Sequence, residues 1–389
     1  MEITPFRIDV ANGSIDDLRR RIDQTRWPDQ LDGVGWQYGT EREYLRELVH
    51  YWRHHFNWRQ QEALINRFSQ YRATIDDFRI HFIHQRSSHQ DATPLLMTHG
   101  WPSSIVEFLD VIEPLTEPEK YCGCSADAFH VVCPSLPGFA YSSAPRKAGT
   151  NVRDIAKIWL KLMRALGYER FIVQGGDFGA MVSTQLAGEA PAHLLGIHLS
   201  MQILFPTELQ LQNIDKLSPP ERAGWDELEG FVTDKMGYHA IQSTKPQTLG
   251  YGLHDSPVGF CAWLTEKFHD WTDCEGEIRN AVSWDRLLTN ISLLWFSESV
   301  ASCLRIYRDC NTQNPAPHVP YVSVPTGCAR FPREVMKPPR AWAEEAYNLI
   351  FWSEHEKGGH FAAMEQPEAF AQSLRGFKGA LREASPSSK

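Results

Sequence analysis

The sequence predicts an α/β protein: a mostly parallel sheet covered by helices on both faces, with a helical lid inserted between two of its strands. Three observations carry this. Short apolar runs suited to buried strands alternate with stretches of helical periodicity. One such run enters a Gly-rich turn and then a helix, Phe171-Ile172-Val173-Gln174-Gly175-Gly176-Asp177-Phe178-Gly179-Ala180. From about Phe205 to Thr289 the periodicity is helical, with strand-like runs before and after it.

The elements follow in order. Asn12 or Ser14 suits the cap of a first helix with Ile15, Leu18 and Ile22 on one face, and Trp27-Pro28 closes it. A second helix carries Tyr44, Leu45, Leu48, Val49 and Trp52, and a third Leu64, Ile65 and Phe68. Alternation over Phe78 to His84 reads as a strand, followed by the runs Pro94 to Thr98, Phe129 to Cys133, Phe171 to Gln174 and Leu194 to Leu199. Val152 to Leu166 is a helix between them. Within the lid block, Pro219-Pro220, Pro246 and Pro257 interrupt the helical pattern. Strand signals return at Tyr321 to Pro325 and Asn348 to Trp352. The expected division is therefore an N-terminal helical meander over 1–92, core over 93–204, lid over 205–300 and core again over 301–389. The polar end, Ser385 to Lys389, reads as a frayed tail.

The chain has 389 residues, 42% of them hydrophobic and 22% charged, which suits a folded core rather than disorder. Its net charge of -9 argues against nucleic acid, whose phosphates need clustered Lys and Arg. The N-terminus lacks the basic flank and apolar core of a signal peptide, and no apolar stretch approaches the ~20 residues of a membrane span. The expectation is a cytoplasmic chain with no membrane anchor; a homodimer is compatible with it. The eight cysteines are scattered, and Cys122-Gly123-Cys124 lacks zinc spacing. His50, His54 and His55 have no acidic ligand beside them, so no metal is expected.

Gly175 to Gly179 has the form G-x-D-x-G between strand and helix. This is a nucleophile elbow with Asp177 where serine hydrolases place Ser. Asp also suits a helix N-cap, so the company it keeps matters. His99-Gly100-Trp101-Pro102 follows a strand at the place where an α/β hydrolase supplies an oxyanion-hole donor, and the backbone N–H groups of Trp101 and Phe178 are the candidates. His99 itself reads as a structural hydrogen-bonding residue. Gly358-Gly359-His360-Phe361 stands last in the chain, as the catalytic base of this fold does. The orienting acid should lie between, and Glu334 is the best choice, with Glu354, His355 and Glu356 as nearby competitors.

These motifs are similar to those of the microsomal-type epoxide hydrolases and their soluble bacterial and fungal relatives. The resemblance rests on His99 to Pro102, Pro134-Ser135-Leu136-Pro137-Gly138-Phe139, Gly175 to Gly179, Asp255-Ser256-Pro257-Val258-Gly259, Pro325-Thr326-Gly327, Phe331-Pro332-Arg333-Glu334 and Gly358 to Ala363. It implies the α/β-hydrolase fold, an N-terminal segment wrapped around the core, and a small-molecule epoxide as the partner. It also implies hydrolysis to a vicinal diol through an ester on Asp177, with no cofactor. Tyr238 and Tyr307 match the lid tyrosines that hydrogen-bond the epoxide oxygen in that family; from the sequence alone each would be a packing residue. Two departures are expected to matter: Phe178 replaces a common Trp, and no counterpart of the microsomal anchor is expected. The resemblance leaves detoxification and natural-product assembly equally open. Haloalkane dehalogenases share the Asp elbow, but commonly hold the halide with an indole N–H that Phe178 lacks. A catalytically silent relative would tend to lose a triad residue, and all three candidates are present. Aromatic residues in the lid block (Trp225, Phe231, Tyr251, Phe260, Trp263, Phe268 and Trp271) fit a bulky apolar or aryl substrate, while packing is the better reading for most of them.

Overall fold

The computed structural model describes residues 2–204, 206–313 and 319–384. Phe205, the expected opening of the lid block, and the tail Ser385 to Lys389 lie outside the described residues. Nine strands form one sheet: β1 (Ile3–Phe6), β2 (Gln70–Ile75), β3 (Phe78–Gln85), β4 (Thr93–Thr98), β5 (Phe129–Pro134), β6 (Phe171–Gly175), β7 (Leu194–Leu199), β8 (Val322–Arg330) and β9 (Tyr347–Glu354). Among the described residues the order is β1-β2-β3-β5-β4-β6-β7-β8-β9. Pairing is antiparallel from β1 to β5 and parallel from there to β9.

The composition of the central strands explains their place. Every residue of β5 (FHVVCP) and β6 (FIVQG) is buried. A parallel strand covered on both faces needs this continuous apolarity rather than alternation. Helices Val152–Ala165 and Phe178–Glu189 pack together against the sheet. The first of them begins with a capping box, in which the Asn151 side chain accepts from the Arg153 and Asp154 N–H groups, a cap worth about 1 kcal/mol.

Several local expectations are corrected. The N-terminal segment is not wholly helical before Phe78, because Ile3–Phe6 and Gln70–Ile75 add two strands to the antiparallel edge. The first helix is Asn12–Asp23, with Ala11 at its N-cap and no side-chain cap, and it stops before Trp27. The third is Trp58–Ile65, so Phe68 lies beyond it and Leu64 is exposed. β3 is buried at four consecutive central positions instead of alternating. β8 runs past Pro325 to Arg330, since a register shift beside Pro325 absorbs the residue that cannot donate to the ladder. In the lid block, Pro219, Pro246 and Pro257 open helices rather than break them, because the first helical N–H has no intrahelical acceptor to lose.

The inserted helices run from Glu208 through Val300–Arg308. The last of these packs on Gly237–Thr244 and Pro246–Asp255. The N-terminal segment reaches across to the same block. Thr40 Oγ1 donates to the Ala262 carbonyl at 2.7 Å, and the Tyr44 and Tyr51 hydroxyls donate to Glu277 and Asp285 at 3.0 Å each. Trp52 Nε1 donates to Ser292 Oγ, also at 3.0 Å, in a buried contact. Among the described residues no single helix is long and apolar enough to cross a membrane. A pair bent by 90°, Trp284–Phe296 with Val300–Asn311, passes by length and composition alone, and its Leu287, Leu288, Ile291 and Leu294 are buried in the core.

Candidate active site

The site forms at the C-terminal ends of the central parallel strands, where open α/β sheets present their loops. β6 ends at Gly175, and Asp177 follows with φ 48° and ψ -128° before helix Phe178–Glu189 begins. A non-glycine residue in that region is strained, and the surroundings must over-determine it. Glycines make this feasible. A Cβ on Gly175 would run into the Gly179 carbonyl, and one on Gly179 into the Thr98 carbonyl of β4. The elbow therefore packs backbone against backbone, and the Asp177 carboxylate stands up from it.

That carboxylate meets the loop after β4. The Trp101 N–H donates to Asp177 Oδ1 at 2.9 Å, and the Phe178 N–H also reaches the carboxylate. Burial raises the Asp177 pKa, while His360 and these two N–H groups oppose the rise. The geometry brings both expected backbone donors onto the same group. His99, as expected, is structural: buried, it accepts from the Leu136 N–H at 3.2 Å through Nε2 and meets the Gly100 carbonyl through Nδ1 at 2.9 Å.

His360 lies in the loop after β9, its N–H donating to the Trp271 carbonyl at 2.8 Å. Its Nε2 is 3.9 Å from Asp177 Oδ2, and its Nδ1 is 2.8 Å from Glu334 Oε1. Glu334 follows β8, and the Arg333 N–H donates to the Gly358 carbonyl at 3.0 Å, which ties the acid's loop to the histidine's. Burial alone would lower His360, but Glu334, Asp177 and Glu107 together raise it to about 9. The competitors lie elsewhere. His355 stacks on Phe331 with ring centroids 4.3 Å apart, and Glu354 accepts from Trp352 Nε1 at 3.0 Å.

Tyr238, on Gly237–Thr244, and Tyr307, on Val300–Arg308, face each other with centroids 5.8 Å apart and rings nearly perpendicular. Trp101 stacks on Tyr238 at 5.4 Å. Burial raises both phenols well above their ordinary range, so both stay protonated at neutral pH. Among the described residues the buried Tyr307 hydroxyl makes no well-aligned hydrogen bond, its polar neighbour being the Tyr238 phenol, although an unmade bond costs about 1–3 kcal/mol. Asp177, His360 and both tyrosines line a single cavity of about 560 Å³. Of the lid aromatics expected there, Trp225, Phe231 and Trp271 line it. Phe260 and Phe268 are fully buried packing residues, the role expected for most of the block's aromatics, and Tyr251 is exposed. The cavity's polar corner is His239 and Asn311, where Asn311 Nδ2 donates to His239 Nε2 at 3.0 Å. The arrangement can place a carboxylate nucleophile, a base with its orienting acid, and two phenol donors around one substrate.

Two groups near the site were not singled out from the sequence. Glu107 stands near His360, Asp177 and Glu334 on the short helix Ile105–Phe108, where burial raises its carboxyl to about 7 despite a hydrogen bond from Ser103. Nothing in its local pattern marks it. Lys267 is buried behind Tyr238 on helix Pro257–Trp271. It had a signal: Trp263, Lys267 and Trp271 fall at helical spacing, a lysine between two indoles on an apolar face.

The strand order, elbow and last-loop histidine define an α/β hydrolase. Residues 93–250 match the model of the alpha/beta hydrolase fold, and residues 3–108 that of the epoxide hydrolase N terminus. A Stigmatella aurantiaca (strain DW4/3-1) protein bearing an epoxide hydrolase name is 46% identical, with 96% of this chain and 84% of that one covered. Epoxide hydrolase 1 of Sus scrofa is 36% identical over 98% and 89% of the two chains. The crystal structure of juvenile hormone epoxide hydrolase from the silkworm Bombyx mori superposes with a TM-score of 0.91 at 29% identity, covering 98% and 95%. The Aspergillus niger epoxide hydrolase structure gives 0.86 at 30%, covering 98% and 97%. The chain belongs to the epoxide hydrolase family, and it is an epoxide hydrolase.

Proposed function

We propose that this enzyme converts a bulky apolar or aryl epoxide to its vicinal diol through a covalent ester on Asp177. The observation that carries the reading is the placement of the Asp177 carboxylate, the His360 imidazole 3.9 Å away and two buried phenols around one cavity. An Asp177 oxygen attacks an epoxide carbon as the ring C–O bond breaks. Tyr238 and Tyr307 donate hydrogen bonds to the departing oxygen, which takes up a proton to become a hydroxyl. His360, oriented by Glu334, then removes a proton from water. The resulting hydroxide attacks the ester carbonyl, and the Trp101 and Phe178 N–H groups hold the oxyanion until the diol leaves.

The electrostatics support two steps with one histidine. In the free enzyme Asp177 is one of the anions that hold His360 protonated. Esterification removes that charge, so the imidazole releases its proton and becomes a base at the stage that needs one. The released proton balances the one taken up by the epoxide oxygen, and hydrolysis returns a proton to His360. The apolar lining, with Trp225, Phe231 and Met201, supports an apolar substrate body.

One turnover in heavy-oxygen water tests the route. The diol's new oxygen should come from Asp177, and the label should enter the Asp177 carboxylate. Label found only in the diol would mean direct attack by water and would overturn the proposal.

A further inference from the structure

Trp263, Lys267 and Trp271 lie four residues apart on helix Pro257–Trp271 and share one face of it. That face meets Tyr238. The Lys267 ammonium is 4.6 Å from the Tyr238 ring centroid, 5.7 Å from that of Trp263 and 5.9 Å from that of Trp271. Lys267 is only 3% exposed, and Glu266 accepts from its Nζ at 2.6 Å. One carboxylate and three aromatic faces thus replace most of the water an ammonium would hold.

A lysine is a costly residue to bury. A methionine would fill the same apolar space without desolvating a charge. The charge has a specific recipient, since a cation within about 6 Å of a ring is attracted to its electron-rich face. The attraction grows with the electron density of the ring. As the Tyr238 O–H proton passes to the epoxide oxygen, negative charge builds on the phenol oxygen and spreads into the ring. The cation then binds the transition state more tightly than the ground state, and only such differential binding accelerates a step. Tyr307 has a different environment, surrounded by the rings of Trp101, Phe178, Tyr238 and His239.

We infer that Lys267 is a positioning residue for ring opening: its caged ammonium lies on Tyr238 and makes that phenol the stronger proton donor of the pair. The step balances. An Asp177 oxygen bonds to the epoxide carbon, the ring C–O electron pair goes to the epoxide oxygen, and that oxygen receives the Tyr238 proton. The phenolate left behind regains a proton from solvent. This inference rests on the reading of Tyr238 as a donor to the epoxide oxygen.

The test is a double-mutant cycle in the full chain, with styrene oxide as the probe and ester formation and ester hydrolysis timed separately. Lys267→Met should slow ester formation about tenfold, which is about 1.4 kcal/mol. Ester hydrolysis should keep its parent rate, because it does not use Tyr238. Lys267→Arg should restore most of the loss, since a guanidinium also binds ring faces. In a Tyr238→Phe background, Lys267→Met should cost nothing further. A thermal melt checks folding, and Lys267→Gln serves as the second neutral variant if the Met variant is unstable. Parent-rate ester formation in a folded neutral variant would overturn the inference while leaving the donor reading intact. So would an equal tenfold loss in the Tyr238→Phe background, which would make the lysine a packing residue. Parent-rate ester formation in Tyr238→Phe itself would instead remove the donor reading, and this inference with it.

Discussion

Asp177→Asn removes one of the charges that raise His360, beside Glu334, while keeping the shape of the side chain. Asp177 Oδ2 lies 3.9 Å from His360 Nε2. At an effective dielectric of ~20, unit charges ~4 Å apart attract by about 4 kcal/mol. One pKa unit corresponds to about 1.4 kcal/mol, so losing the carboxylate should lower His360 by up to about 3 units. The parent histidine stands at about 9, and the variant's should fall towards about 6. The sign follows from charge: removing an anion disfavours the imidazolium. The same shift changes stability. A histidine raised on folding contributes stability that is complete below its unfolded pKa of about 6.5 and is lost as pH rises through about 9. In the variant most of that contribution should be gone at every pH. The assay is a histidine-ring NMR titration, with the His360 signal assigned by its absence from His360→Gln and intact mass confirming that Asn is retained. His360 still titrating near 9 in Asp177→Asn would refute the idea that esterification releases the base.

The half-reactions should also separate by mutation. His360→Gln should form the ester and fail to hydrolyse it, seen as an added substrate mass on the intact protein; an unmodified protein would count against that division. Glu334→Gln should slow the same hydrolysis less severely, measured by single-turnover decay of the ester, because Glu334 orients the imidazole at 2.8 Å and moves no proton itself. Tyr238→Phe and Tyr307→Phe should each slow ester formation by up to about 10²–10³, with Tyr238 the more damaging, and the double variant should be nearly inert in rapid-quench assays.

Chemistry carried by backbone turns was legible in the sequence. Gly175 to Gly179 and Gly358 to His360 depend on local steric rules, so the residue types alone mark them. Glu334 was legible only through chain order, because a carboxylate after a strand has no local signature. The two edge strands were missed for a different reason. Ile3–Phe6 is four residues long and contains Pro5, and Gln70–Ile75 follows a helix after the short turn 66–69. Their strand character comes from pairing with each other and with β3 rather than from local pattern. The roles of Glu107 and Lys267 are not legible in the sequence, because a titratable group inside the fold takes its meaning from neighbours distant in sequence. Tyr238 lies 29 residues before Lys267 and on another helix, and no periodicity reports that contact.

The contacts from Thr40, Tyr44, Tyr51 and Trp52 to the inserted helices have a consequence for how substrate arrives. A roof bolted on one side by the opening of the chain cannot swing as a unit. The bolts engage Ala262, Glu277, Asp285 and Ser292, on and beyond the helix that carries Lys267, so the wall behind Tyr238 is fixed masonry. The stretch Glu208 to Asp234 is held from the core side instead: Gln210 Nε2 donates to Glu345 at 2.7 Å, Lys337 Nζ donates to Glu227, and Trp225, Leu228 and Phe231 line the cavity. Changes there should tune which epoxides enter and how fast diols depart, while the wall that sets proton donation stays as it was.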